Sequence, residues 1–436
     1  MQKQYIWHPN TQMKEWKNFP IIKYGHGVWL IDSNGNKLLD GVASMWCNVW
    51  GHSKKELMRT IIKQTNEIQH TSLFNLTHES AENLAEKLVK ISPQMNKIFY
   101  SDNGSTAIEI ALKIALQYWQ NIGFQKNKFV SLENGYHGDT FGSMSVGYIE
   151  KFFSRFKENL FPVFKIPVPI KSKIPLGYTF NEYQKHCLDK IKSIFDNHDD
   201  IAALIMESGA QLAGGVIIYP NKFQQKISEI CKKYNVLLII DEIATGFGRL
   251  GSFIEYKNQN SKPDIVCYGK MLTGGYITLS ATLTTKKIYN VFNGNFSDMK
   301  HFFHGHTFTG NPIATSVAMK NLELYNKYNL IDKIKNKSTV LADRYEEIMS
   351  LDAVKDVRTK GLVMGIELNI NQTKKSINKI IFDEGIKNHI YLRTLGNVVM
   401  LVPPLIISKS EITFLVDNVI HTINNVAKQL NFQAQP

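Results

Sequence analysis

The sequence is poor in cysteine. Its four cysteines, Cys47, Cys187, Cys231 and Cys267, lie far apart and form no C-x-x-C pair, which argues against a disulfide framework and a zinc ribbon and leaves reduced packing residues. Long apolar runs are missing too. None approaches the ~20 residues that span a bilayer, and the opening "MQKQYIWHPNTQMKEW" lacks the apolar centre of a signal peptide, so no membrane partner and a cytoplasmic location are expected. Despite a formal net charge of +13, no run of about five or six basic residues interleaved with aromatics occurs. The lysines are dispersed along amphipathic segments such as "EICKKYN" and "LIDKIKNKSTVLADRYEE", and no nucleic-acid partner is expected. Internal repeats and low-complexity tracts are also absent, which removes solenoid and linker architectures.

What is present has the balance of a globular enzyme. The 436 residues, 43% hydrophobic and 20% charged, exceed what one core usually organises, so a large domain and a smaller one are expected. Apolar runs recur, each ending in small or polar residues: "KIFYSDNGST", "KFVSLENGYHGDT", "IAALIMESGAQ", "NVLLIIDEIATG" and "DIVCYGKMLTGG". Helical patterns such as "KFQQKISEICKKY" lie between several of them. This alternation predicts an α/β fold with a doubly wound, mostly parallel sheet in the large domain. The expected division is residues 1–48 as the N-terminal segment of the small domain, 49–315 as the large domain, and 316–436 as the C-terminal part of a small α+β domain. Within the first segment "GVWLIDSNGNKLLDG" reads as a hairpin.

In such a sheet the ligand crevice lies beyond the carboxyl ends of the strands. The residues just after each apolar run then face one another: 101–105, 134–138, Glu207, Asp241 and Lys270. Gly104-Ser105-Thr106 stands between a strand and a helix, where backbone N–H groups and the helix dipole favour a phosphate. "DNGST" matches neither the Walker pattern nor G-x-G-x-x-G. A strand-end Asp241 by itself is equally a helix cap or half of a buried ion pair, and a lone Lys270 a surface residue. Together, in this order, a phosphate cradle, an aromatic-His-Gly turn, an acid and a lysine fit pyridoxal phosphate. That cofactor needs a lysine for its aldehyde, an anion site and a carboxylate for its ring nitrogen. Asp241 would pair with that nitrogen and Ile243 would pack against the ring. His301, His304 and His306 form H-x-x-H-x-H, the pattern of a zinc hydrolase, but they lie among Phe and Gly with no helix to set two of them at i and i+4, and no metal is expected.

The chain resembles the class III (fold type I) pyridoxal-phosphate aminotransferases. The likeness runs through "WHPNTQMKEW", "LLDGVASMWCNVWGH", "SDNGSTAIEIALKIALQYW", "GYHGDTFGSMSVG", "DEIATGFGRLG", "GKMLTGGYITLSATLTT", "HGHTFTGNP" and "LRTLGNVVMLVPP". "WHP", "ALQYWQ" and "YHGDTFGSMSVG" are similar to the branch that converts 8-amino-7-oxononanoate to 7,8-diaminononanoate in biotin biosynthesis. The resemblance implies that Lys270 is the Schiff-base lysine and proton shuttle, with Asp241 at the ring nitrogen. It makes Gly104 and Ser105 phosphate ligands, places Tyr136, Glu207 and Ile243 at the cofactor, and brings His306 and Thr307 to the phosphate from the neighbouring subunit of a homodimer. Tyr136, Asp139, Gly305 and Lys270 fall in the substrate pocket, and Arg393 matches the arginine that binds the keto substrate's carboxylate. Asn10 stands where a tyrosine often follows "WHP", and Met45-Trp46 where a tryptophan pair often lies in the substrate pocket. The expected amino donor is S-adenosylmethionine, with lysine as the alternative donor and another class III ω-aminotransferase as the alternative enzyme.

Overall fold

The computed structural model describes residues 5–16, 18–370 and 376–430. Residues 1–4 and Lys17 of the expected N-terminal segment, and 371–375 and 431–436 of the expected C-terminal part, lie outside the described residues. The chain forms two compact units, Lys55–Lys335 and a discontinuous one made of Met1–Lys54 and Asn336–Pro436. Helix Pro312–Lys327 packs on helices Lys55–Glu67 and Glu79–Ile91, which keeps it with the first, larger unit. No helix among the described residues is long and apolar enough to cross a membrane.

The large unit is built on a seven-stranded sheet. Its spatial order is Met95–Ser101, Ser280–Thr285, Ile265–Tyr268, Leu237–Asp241, Ile201–Glu207, Lys128–Leu132 and Val163–Ile166. Ser280–Thr285 runs antiparallel to both of its neighbours, and the other pairs are parallel. Every residue of Ile201–Glu207 and Leu237–Asp241 is buried. Strands covered on both faces need continuous apolar runs rather than alternation, which is what "IAALIM" and "LLII" supply. Helix Gly104–Asn121 lays Ile108, Ala111, Leu112 and Ala115 into the core that holds Ile205, Ile239 and Ile265. Burying each such Leu or Ile side chain contributes about 1.5–3 kcal/mol. The Trp119 indole N–H is satisfied by the Ala202 carbonyl at 2.8 Å, tying the end of that helix to the sheet.

In the small unit, strands Trp29–Asp32 and Lys37–Asp40 form an antiparallel hairpin. Asp32 closes its turn by accepting from the backbone N–H groups of Asn34 and Asn36 at 2.9 and 2.8 Å. Strand Ile390–Tyr391 joins the hairpin in parallel, so sequence-distant pieces share one sheet. Just after the hairpin the chain makes one turn of left-handed helix at Ala43–Trp46, with φ of +47°, +47°, +78° and +70°. None of these residues is glycine, and the conformation costs an L-residue about 1–2 kcal/mol each.

Candidate active site

Parallel pairing aligns two candidate carboxylates of the large unit. Glu207 and Asp241 are register partners at the ends of adjacent strands, and Asp241 is also paired with Cys267, three residues before Lys270. Asp241 is 4% exposed and both of its oxygens are engaged. Oδ1 accepts from the Ile243 N–H at 2.9 Å, and Oδ2 lies 2.8 Å from His137 Nδ1. Glu207 accepts from the N–H groups of Tyr136 at 3.2 Å and Leu212 at 3.0 Å. Burial first, and the neighbouring Asp241 charge second, push the Glu207 carboxyl up to about 8, while Lys270 acts in the opposite direction. Lys270 is therefore within electrostatic reach of this carboxylate. Its own backbone has φ +41°, a left-handed value uncommon for a residue with a β-carbon.

The turn before helix Gly104–Asn121 is capped by side chains. Asn103 accepts from the Thr106 N–H while the Thr106 hydroxyl accepts from the Asn103 N–H, a reciprocal box that fixes the helix start. The N–H groups of Gly104 and Ser105 precede the first intrahelical bond. Gly104 has a packing reason to be glycine: a β-carbon there would lie 2.9 Å from Ile243 Cγ2. A β-carbon on Gly269 would lie 3.2 Å from the same methyl, so Ile243 sits between the Gly104-Ser105 turn and the residue preceding Lys270. Gly138, at φ +127°, lets the 134–140 loop close on Ser105, whose Oγ accepts from the Asp139 N–H at 3.3 Å. In that loop Tyr136 donates its hydroxyl to Asp139 at 3.1 Å, and its ring lies nearly parallel to Phe153. Burial and the Asp139 charge raise the Tyr136 phenol, which stays protonated.

The large unit thus brings together Gly104, Ser105, Tyr136, Asp139, Glu207, Asp241, Ile243 and Lys270. His306 lies beside the same turn, its Nδ1 2.9 Å from the Asp102 carboxylate and its Nε2 3.1 Å from His304 Nε2. Burial, then the Lys113 charge, lowers the His304 pKa. His301 instead packs against the Phe303 and Phe296 rings. Gly305 and Thr307 are exposed. Met45, Trp46 and Arg393 belong to the small unit, where Arg393 Nη1 lies 3.6 Å from Met45 Sδ. His137 carries no assignment from the sequence, although it stands in the aromatic-His-Gly turn that drew attention to the loop. Its signal was the turn, and its partner is visible only once the strands are aligned.

The class III aminotransferase profile matches residues 12–423. The chain belongs to the class III aminotransferases. Among class III relatives, the adenosylmethionine-8-amino-7-oxononanoate aminotransferase of Aquifex aeolicus is 40% identical, over 98% of this chain and 97% of that protein. The Staphylococcus aureus protein of the same name is 41% identical, over 97% of this chain and 96% of that one. The crystal structure of the Methanocaldococcus jannaschii protein of that name superimposes with a TM-score of 0.90 at 40% identity, covering 97% of each chain. The ω-transaminase of Pseudomonas jessenii in complex with PMP superimposes with a TM-score of 0.93 at 26% identity, over 98% of this chain and 97% of that one.

Proposed function

We propose that this class III aminotransferase uses pyridoxal phosphate to convert 8-amino-7-oxononanoate to 7,8-diaminononanoate in biotin biosynthesis, with S-adenosylmethionine as amino donor. The observation that carries the chemistry is the placement of Asp241, Lys270 and the Gly104-Ser105 turn at the carboxyl ends of three strands of one sheet, and the relatives' names support the substrate. The donor set fits the cofactor. A carboxylate buried to 4% exposure, with two partners that fix its direction, suits a protonated ring nitrogen. The crowding at Gly104 leaves backbone rather than side chains to face a phosphate. Buried hydroxyls at Ser101 and Ser280, without hydrogen-bond partners among the described residues, lie at the matched ends of their strands.

When bound, pyridoxal phosphate supplies an electron sink for the pair left on the substrate carbon. The protein's residues do the rest. Asp241 keeps the ring nitrogen protonated, and His137 together with the Ile243 N–H holds that carboxylate in one orientation. Lys270 Nζ would hold the cofactor through its aldehyde and, when free, is the base that would move the substrate proton. Gly104 and Ser105 would anchor the phosphate, Ile243 and Tyr136 would pack beside the ring, and Glu207 lies beside Asp241 as a second acid. Arg393 binds the far carboxylate of the keto substrate, a role its planar fork suits, with Met45 and Trp46 read as substrate residues in the small unit and Asp139 and Gly305 in the large unit.

The reading includes a homodimer in which His306 and Thr307 reach the phosphate of the second copy, and a cytoplasmic location. Support for the dimer is the exposed apolar surface of the large unit. Phe74, Leu76, Phe303 and Phe308 are each more than half exposed, and a groove of about 610 Å³ beside them is bounded by Phe74, Val89, Phe99 and Gly305.

The test is a donor screen: purified protein with pyridoxal phosphate and 8-amino-7-oxononanoate, offered S-adenosylmethionine, lysine, alanine or glutamate, with the diamine quantified by mass spectrometry. The expected result is turnover with S-adenosylmethionine. Turnover with lysine alone would overturn the donor, and no diamine from any donor would overturn the substrate. Borohydride reduction of the loaded protein should fix the cofactor on Lys270, and a label on another lysine would overturn that assignment.

A further inference from the structure

The left-handed turn at Ala43–Trp46 is unexplained by its own sequence, since all of its residues carry β-carbons. A conformation of this kind persists where its surroundings over-determine it, and it gathers at sites of function. Here the surroundings centre on one side chain. Asp40 is 0% exposed. Its Oδ1 accepts from the N–H groups of Val42 at 3.3 Å and Ser44 at 3.0 Å. Its Oδ2 accepts from the Ser44 hydroxyl at 2.7 Å and faces His52 Nε2 at 3.2 Å. Within the turn the Trp46 N–H bonds the Val42 carbonyl at 2.8 Å and the Cys47 N–H the Ala43 carbonyl at 3.1 Å.

The same aspartate is tied to the other side of the Met45–Arg393 contact. Asp40 is the register partner of Tyr391, and the Gly41 N–H donates to the Tyr391 carbonyl at 3.1 Å, two residues before Arg393. Arg393 touches the Met45 sulfur at 3.6 Å and also interacts with the Tyr391 hydroxyl. A thioether is a weak, uncharged acceptor, so it steadies one nitrogen of the guanidinium without neutralising it and leaves the remaining donors for an anion.

We propose that Asp40 is a positioning residue for carboxylate recognition: it holds the left-handed turn that seats Met45 beside Arg393 and so aims the guanidinium at the acid group of the keto substrate. This rests on the reading of Arg393 as the carboxylate site. Asp40 acts through the turn and touches no substrate. Relaxing the turn to right-handed backbone swings Met45 away from Arg393 and frees the guanidinium to take other rotamers.

The free keto acid and its methyl ester differ in charge at the end Arg393 is read to hold. The wild-type holoenzyme should favour the acid in kcat/KM by about ten- to a hundredfold, the worth of one charge-assisted pair. Asp40→Asn keeps the size but replaces one accepting oxygen with a donor. In that variant the preference should collapse toward parity, mainly through a higher KM for the acid, with the ester's kcat/KM little changed. Ser44→Ala removes a single bond at an exposed position and should give an intermediate preference; it decides the question by the same ratio if Asp40→Asn does not fold. A ratio that stays at the wild-type value while acid and ester fall together makes Asp40 merely structural and overturns this proposal alone. A wild-type enzyme that does not distinguish acid from ester overturns the Arg393 reading, and this proposal with it.

Discussion

Two buried carboxylates side by side are unfavourable while both are charged, and in the Glu207–Asp241 pair the raised pKa of Glu207 relieves the repulsion. Glu207, pushed up to about 8 from an ordinary 4.5, holds its proton at neutral pH. A carboxyl whose folded pKa is raised contributes its full stability below the unfolded value and loses it as pH rises through the folded one. For Glu207 that window runs from about 4.5 to about 8. Cofactor-free wild type should therefore lose thermal stability relative to Glu207→Gln as pH rises across that window, with the difference level outside it. Melting curves of both proteins at a series of pH values check this; a pH-independent difference would contradict the raised pKa. For Asp241→Asn the fold should survive and some cofactor should remain bound, because the strand and the phosphate turn are intact. Turnover should drop by several powers of ten, since an amide does not hold the ring nitrogen protonated. Single-turnover kinetics with the absorbance of the loaded variant separate lost chemistry from lost binding.

At the scale of elements, helix Gly104–Asn121 joins stability to the site through its cap. Asn103→Ala removes the side-chain half of the capping box and should cost about 0.5–2 kcal/mol, read by urea denaturation of cofactor-free protein. The same variant should release pyridoxal phosphate faster, because the N–H groups of Gly104 and Ser105 lose their fixed direction. Most of the large sheet was legible in the sequence for a plain reason: strands buried on both faces show as unbroken apolar runs, as "IAALIM" and "LLII" do. The antiparallel Ser280–Thr285 strand was not. "SATLTT" is rich in hydroxyls, which are satisfied only in place, as Thr282 is by the Ala107 carbonyl at 2.9 Å. The left-handed turn was equally hidden, because Ala, Ser, Met and Trp give no local sign of positive φ and the cause, Asp40, acts from outside the turn. Strand ends pointed to Asp241, Glu207 and Lys270 as candidates, whereas the His137–Asp241 contact spans 104 residues of sequence.

For the molecule as a whole, the proposed dimer predicts that one site draws on two chains. A Lys270→Ala copy and a Thr307→Val copy should each be weak alone. Mixed by co-expression with different tags and purified through both, they should recover activity, because one site of each hybrid then has an intact lysine and an intact threonine. Absence of recovery in a verified hybrid would place Thr307 outside the shared site. Phe308→Glu, which sets a charge on exposed apolar surface, should shift the protein toward monomer in light scattering and lower activity with it.

The discontinuity of the small unit has a consequence for synthesis on the ribosome. The first 54 residues emerge early, but their partner segment begins only at Asn336. At ordinary elongation rates the intervening Lys55–Lys335 unit takes on the order of tens of seconds to appear. Throughout that interval the Lys37–Asp40 strand lacks Ile390–Tyr391, which completes its pairing, and offers an open edge with Leu38 and Leu39 on it. The large unit is contiguous and free to form on schedule, so the nascent chain carries a finished domain and an exposed hairpin at once. The hairpin is the segment most in need of a chaperone's cover until the last quarter of the chain arrives.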